Sequence, residues 1–513
     1  MDYMMDRGML GLQEVIYDGC QEQAVDLDIS LPDYCPDIQK ILKCQVYPCI
    51  TNRAIMNDQL TLEGNYTVKV FYLDSVGNTV RCCENSRPFS ATITLKQAVD
   101  RARIKAWTRV EYINCRATSS RRLDIHGAFS LCAKVTARSE YSVISSVNDA
   151  DVEQQMDEVA FTQLETSAVQ TFSVEEVLEL PAGKPEAETI LRSDATVNLQ
   201  DFKIVANKIM LKGDVELKLL YNSSLDDTLL ESMEYAIPFS QMIDVSGIEE
   251  DFRCDIRVSV VQTEIQIKND YSGEKFFFDS QIKLCALLTA YSDSNLSIVT
   301  DSYSKSFELN IDYSQKNFER LEDLFSETTI QKNTISTDVE ISKMIDAWSE
   351  MCTVEAVLQE GELCLRGKYN LCILALNASG TPMYLERVID YEYKRPWKGE
   401  GPILCDAEGL VTGISYRISA SELEIKVELR LTAAVFCQQA CRFIENLTAD
   451  ENKPREQDSS AALSLYYAEK GERLWDIARA YCTSVAAIQQ ENEMEDDIVE
   501  NRGMLLIPIT MHC

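Results

Sequence analysis

Histidine is almost absent: only His126 and His512 occur in 513 residues. A Cys-His or Ser-His hydrolase needs an imidazole beside its nucleophile. His126 falls on the polar face of a strand pattern next to Asp124, with no nucleophile motif, and reads as a surface residue. His512 is in the tail. The chain also lacks a Gly-rich phosphate loop, a Gly-x-Ser-x-Gly elbow and any carboxylate pair in a recognisable glycosidase frame. No enzyme, cofactor or metal is expected. Positive charge is scarce too: 49 Lys and Arg face 83 Asp and Glu, a formal charge of -34. Such a surface repels phosphate backbones and anionic lipid, which excludes nucleic acid as a partner and favours a basic protein surface. No run of about 18 apolar residues occurs, so no membrane-spanning helix is expected. The opening residues carry acids early and have no apolar core, unlike a signal peptide.

Cysteine is plentiful, at 18 residues, but no Cys-x-x-Cys motif occurs. Cys437 and Cys441 have no histidine near them, so no zinc site is expected. Cys132, Cys285, Cys364 and Cys372 sit inside apolar alternations, where a thiol serves as a small hydrophobe. Without an export signal, reduced thiols are the default. Adjacent Cys82 and Cys83 read as one buried and one exposed thiol.

One pattern recurs three times. Leu60–Tyr72, Ile209–Tyr221 and Leu363–Ala375 each alternate apolar with mostly polar residues, which marks a half-buried strand. Each carries a glycine at the same place (Gly64, Gly213, Gly367), the sign of a bulge or a close backbone approach. Turn residues follow: Ser75-Val-Gly-Asn, Asn222-Ser-Ser-Leu-Asp-Asp and Asn377-Ala-Ser-Gly, each suited to a hairpin. Arg87-Pro-Phe-Ser then matches Ile237-Pro-Phe-Ser, with Lys394-Arg-Pro-Trp a weaker third. Each repeat closes on a second alternation: Leu123 to Val135, Phe276 to Leu288, Leu423 to Val435.

A preface precedes the first two repeats, Leu31-Pro…Pro36-Asp-Ile…Ile41-Leu42 and Leu180-Pro…Pro185-Glu-Ala…Ile190-Leu191. A proline, an acid and then an apolar pair predict a short helix starting at the proline. Met344-Ile345 holds the same register in the third repeat. Acidic, polar stretches at 146–160, 313–336 and 446–461 separate the units, and the last has linker composition. The expected fold class is therefore mainly β: an N-terminal segment (1–24), three tandem β domains (25–148, 165–312, 335–445), an acidic tether (446–461) and a small α/β module (462–509).

In that module a short strand leads through Lys470-Gly471-Glu472 into Leu474, Ile477, Ala478 and Tyr481, an apolar stripe at helical spacing. A second short helix holds Val485 and Ile488 and ends near Asn492; the last strand is Met504–Ile507, closed by Pro508. The stripe reads as core. Trp475 lies off it, and either caps the small core or shows its face to a partner. Glu491, Glu493, Glu495, Asp496, Asp497 and Glu500 read as a solvated face or as a complement to a basic surface.

The run Gly-Glu-x-Leu-Trp-x-Ile-Ala, the later Asn492 and the closing Leu-x-Ile-Pro resemble the LysM family, whose fold is strand–helix–helix–strand. That resemblance implies a shallow groove for N-acetylglucosamine polymers at Gly471, Glu472, Arg473 and Leu474, with Trp475 beside it, and at Asn492, Glu493 and Met494. The Leu-Pro preface, the Gly-bearing strand and the repeat of about 150 residues resemble the SPOCS domain of endospore-forming Firmicutes. Tandem SPOCS domains ending in one LysM are similar to spore-coat morphogenetic proteins. The resemblance implies a non-enzymatic scaffold in the mother-cell cytosol at the forespore surface. Its LysM domain would dock on a coat-basement ATPase and its β domains would make further protein contacts. The alternative is a cell-wall protein that binds peptidoglycan.

Overall fold

Alternation of apolar and polar residues gives strands nearly throughout this computed structural model, which describes residues 3–77, 79–99, 102–223, 230–269, 276–337, 339–419, 422–455 and 462–509. The first unit holds β1 (Met5–Ser30), β2 (Ile38–Met56), β3 (Gln59–Asp74), β4 (Val80–Thr94), β5 (Ala102–Ser119) and β6 (Arg122–Val147). They form two antiparallel sheets, β2-β3-β4 and β1-β6-β5, packed on one core. The second unit repeats the plan with β7 (Val152–Glu179), β8 (Ala187–Val205), β9 (Lys208–Ser223), β10 (Leu230–Asp244), β11 (Arg253–Lys268) and β12 (Phe277–Ser304), in sheets β8-β9-β10 and β7-β12-β11.

The third unit has β13 (Phe307–Ser336), β14 (Ile341–Trp348), β15 (Glu355–Gln359), β16 (Glu362–Asn377), β17 (Pro382–Pro396), β18 (Ile403–Ser419) and β19 (Glu422–Pro454). Here β14 and β15 together take the place of the long second strand, and the other sheet is β13-β19-β18. The chain closes with β20 (Leu463–Ala468), α1 (Leu474–Ala480), α2 (Val485–Asn492) and β21 (Gly503–Pro508).

The mainly β reading holds, and the repeated strands are β3, β9 and β16. Their glycines serve close backbone approach. A Cβ at Gly64, Gly213 or Gly367 would collide with the carbonyl oxygen of Cys49, Asn198 or Thr353. Phe89, Phe239 and Tyr391 lie directly opposite these glycines. The third counterpart of Pro-Phe is therefore Asp390-Tyr391, and Pro396-Trp397 lies beyond it. The hairpin turns after β3 and β16 form, with Asp74 and Asn377 accepting backbone N–H bonds within them. Asn78 and residues 224–227 of the middle turn lie outside the described residues.

The short helices expected at Pro36 and Pro185 are strands. In β2 the ladder shifts register between Ile38 and Lys40 and again between Ile41 and Lys43. In β8 it shifts between Ala187 and Thr189 and between Ile190 and Arg192, and in β14 at the equivalent two places. Each bulge inserts one residue, so the inward positions run i, i+3, i+6 (Ile38, Ile41, Cys44) instead of i, i+2. That spacing imitates a helix.

The polar stretches expected between units are also strands. Residues 152–160 begin β7, 313–336 lie in β13, and 446–454 complete β19; residues 456–461 lie outside the described residues. Their outward faces give them linker composition, while Val159, Phe318 and Leu447 are buried. The long strands run past their own unit's core and meet those of the other two. Leu10 and Val143, Phe161 and Ile298, and Phe318 and Phe443 form one core from all three units. Two more shared cores come from the same strands. At the opposite end Phe71, Leu220 and Trp348 mark a fourth, again from all three.

Cysteines follow this packing. Cys20 and Cys132 lie opposite each other in β1 and β6, with Cα atoms 4.0 Å apart, and are joined by a disulfide. The expectation of reduced thiols fails at this pair because register brings together residues 112 apart in sequence. Cys82 and Cys83 are both covered, on opposite faces of β4. Cys83 packs in the first unit's core and Cys82 in the junction with the other units. Burial pushes the two thiols up, to about 12 and about 11.

Charges close the junctions. Lys105, Arg257 and Asp406 hold equivalent positions in β5, β11 and β18, opposite Lys134, Leu287 and Ala434. Asp406 pairs with Lys105, with Arg103 at 3.0 Å and with Arg257 at 3.2 Å. At the other end Lys43, Arg192 and Asp346 are equivalent, opposite Phe71, Leu220 and Leu374. Asp346 binds Arg192 at 2.7 Å and Lys218 at 2.8 Å, while Lys43 finds Glu386 at 2.5 Å.

Burial raises the Asp406 carboxyl, but Arg257, Lys105 and Arg103 outweigh it and hold it below the ordinary range. A depressed carboxylate stabilises the fold above its unfolded pKa, about 4, and that contribution disappears as pH falls through the lower folded value. Urea unfolding is expected to show this loss in acid. It is also expected to show about 3–5 kcal/mol of destabilisation in Asp406→Asn at pH 7, because Lys105 loses its carboxylate and the buried Arg103 and Arg257 are left to share Asp255, with Glu408 on Arg257.

Candidate binding surface on the terminal module

The order strand–helix–helix–strand follows from local residues. β20 and β21 pair antiparallel from Leu463↔Pro508 to Ala468↔Gly503. The turn after β20 needs Gly471, whose φ is 91°. Glu472 fastens that turn: its carboxylate accepts the Tyr466 hydroxyl at 3.1 Å and the Glu469 N–H at 3.0 Å. Leu474, Ile477 and Ala478 point from α1 into a core with Ile488, Leu505 and Ile507. Ser484 caps α2 by accepting the Ala487 N–H at 3.1 Å. Glu493, at φ 50°, ends it.

The loop after β20 meets the loop before β21 through Asp497 and Val499, not through the expected Asn492, Glu493 and Met494. Gly471 N–H donates to the Val499 carbonyl at 2.8 Å, Val499 N–H to Glu472 at 2.9 Å and Leu474 N–H to Asp497 at 2.8 Å. Their polar side chains are largely committed inward. The Asn492 amide donates to the Ile488 and Leu506 carbonyls, both at 2.7 Å, and its oxygen accepts the Leu506 N–H at 2.7 Å. This side chain ties α2 to β21. Leu474 is buried, and Met494 packs half-buried against the core. Gly471, Arg473 and Glu493 remain exposed. So do the acids from Glu491 to Glu500.

Trp475 is only 9% exposed, and what covers it comes from the second unit. Its ring meets Tyr303 of β12 edge-on, with centroids 4.9 Å apart. Its indole N–H donates to Asp301 at 2.9 Å, and Arg479 pairs with the same carboxylate. Burial raises the Asp301 carboxyl, but the Trp475 and Arg479 bonds outweigh it and leave it below the ordinary range. The Tyr303 hydroxyl donates to the Thr483 carbonyl at 2.7 Å, and Arg473 reaches Gln155 of β7 at 3.0 Å.

Sequence reasoning missed a second surface. The outer face of the β20–β21 pair exposes Leu463, Leu465, Tyr467 and Met504, the last three by 61–64%. Arg502 lies over the Tyr467 ring at 5.2 Å. The alternation Leu463-Ser-Leu465-Tyr-Tyr467 carried the signal: these residues face away from the strand's buried Ala468. His126, as expected, is on the surface, between Asp26 at 3.2 Å and Asp124 at 3.0 Å. Among the described residues no helix is long and apolar enough to cross a membrane.

A family model described as SipL, SPOCS domain, matches residues 37–118 and 186–268. The chain thus carries tandem SPOCS domains of the SipL type. The matches cover β2 to β5 of the first unit, short of Ser119 alone, and all of β8 to β11 of the second, the same strands in each. The family is one of sporulation and the spore coat. No curated protein and no solved structure matched the chain.

Asn492→Ala leaves three backbone groups without their partner. It is expected to lower the stability of the module by about 1–3 kcal/mol, read as a lower midpoint for thermal loss of the module's structure in the full chain.

Proposed function

We propose that the chain is a non-enzymatic scaffold of spore-coat assembly, acting at the forespore surface in the mother-cell cytosol. The terminal module is proposed to be a LysM domain that docks on a coat-basement ATPase. The three β units are proposed to supply further protein contacts. The tandem SPOCS match supports the coat setting. The observation that carries the docking mode is the exposed apolar face of Leu463, Leu465, Tyr467 and Met504. A contiguous apolar face on a small module suits a protein surface better than a hydroxyl-rich glycan. Inward commitment of Asn492 and Glu472 favours the same choice, since both Asn492 amide protons and much of the Glu472 carboxylate are already engaged within the module. The exposed acids Glu491 to Glu500 would steer a basic partner toward the module.

The test offers the immobilised full chain both purified peptidoglycan and a lysate of sporulating cells. The coat-basement ATPase is expected to be retained and the wall not. Leu465→Glu, which changes an exposed side chain and leaves the core intact, is expected to cut that retention at least about tenfold, the effect of losing one central apolar contact. Retention of peptidoglycan alone would sink the scaffold reading in favour of wall binding.

A further inference from the structure

The module and the body are both acidic. Residues 462–509 carry nine acids (Glu469, Glu472, Asp476, Glu491, Glu493, Glu495, Asp496, Asp497, Glu500) against four cations (Lys470, Arg473, Arg479, Arg502). Two such bodies repel unless cations are placed where they touch. Two of the four, Arg473 and Arg479, are aimed at the second unit. Arg455, just past β19, donates to the Arg479 carbonyl at 2.8 Å.

The receiving side is equally specific. The β12–β7 ladder shifts register between Val299 and Asp301, and the inserted residue re-aims the strand end. Asp301 and Tyr303, two apart on one face, then meet the module together. Asp301 takes the Trp475 N–H and the Arg479 guanidinium, and Tyr313 of β13 donates to its other oxygen at 3.1 Å. Tyr303 is 1% exposed and belongs to the module's own hydrophobic core.

We infer that the terminal module is locked onto the second unit through Asp301 and Tyr303, and that Trp475 and Arg479 are positioning residues for this lock rather than contacts for an outside ligand. The module then moves with the body as one piece. Loss of Trp475 weakens partner binding through orientation, without removing a partner contact. The lock stands whether the module's outer face takes a coat protein or a glycan, so its test is independent of that choice.

The test is hydrogen exchange of the full chain, followed over residues 474–490. Because Tyr303 completes the module's core, undocking must loosen those amides. Arg479→Asp sets two carboxylates against each other and is expected to speed their exchange about tenfold. Adding Asp301→Arg to it restores a pair of opposite charges and is expected to return exchange to within about threefold of the parent. Asp301→Asn and Arg479→Gln break the same contact, so the double variant is expected to exchange no faster than the faster single one. Tyr303→Phe removes one hydroxyl with no change of shape and is expected to speed exchange at residues 483–487 alone. Parent-like exchange in both Arg479→Asp and Tyr303→Phe would overturn the lock. So would strictly additive effects of Asp301→Asn and Arg479→Gln, or failure of the charge swap to slow exchange.

Discussion

Three copies of one unit that meet around a common line place equivalent residues next to one another, and equivalent residues cannot all carry the same charge there. The rest of the structure depends on how this constraint is met. The first two units keep cations at both junctions, Lys105 with Arg257 and Lys43 with Arg192, and the third supplies Asp406 and Asp346 in their place. A covalently joined triplicate can make that change in one copy, which an assembly of three identical chains cannot. Once the charges are balanced, the long strands can bring their upper halves together, and two apolar cores shared by all units, with a third between the second and third units, become possible. Glu386 completes the pattern by answering Lys43 from the third unit as well.

Much of this architecture was legible from alternation. The period-two strands, their glycines and the closing strands β6, β12 and β19 all form, because each signal is local: the side-chain face and the backbone approach are decided within a few residues. What failed did so for reasons equally physical. Two bulges in each of β2, β8 and β14 stretch the apolar spacing to three, and spacing alone cannot separate this from a helix. Polar composition in β7, β13 and β19 reports only the outward face of strands whose inward face is covered by another unit. The Cys20–Cys132 bond depends on register across 112 residues, which no local pattern carries.

The same division holds at the terminal module. Its element order and core stripe follow from short-range spacing, and the loops after β20 and before β21 do meet, through Asp497 and Val499. The roles within them were less visible. Asn492 is a brace between α2 and β21, and Glu472 fastens a turn. Trp475 was ambiguous because its neighbour, Tyr303, lies 172 residues earlier in a strand whose end is turned by a bulge. The apolar outer face was readable in Leu463, Leu465 and Tyr467 once β20 was known to have helices on one side only.

The ladder of each unit pairs its first strand with its last, from Met5↔Val147 in the first to Phe307↔Pro454 in the third. A ribosome releases these strands in order, so no unit can close its larger sheet until its final strand has emerged. Two finished units must then wait with Asp255 alone set against Arg103 and Arg257, with Lys105 lacking Asp406 and with their upper apolar halves bare, because Asp406 is made 301 residues after Lys105. The nascent protein is most adhesive just before its third unit appears, and a chain cut short there would be a far worse solute than the finished one.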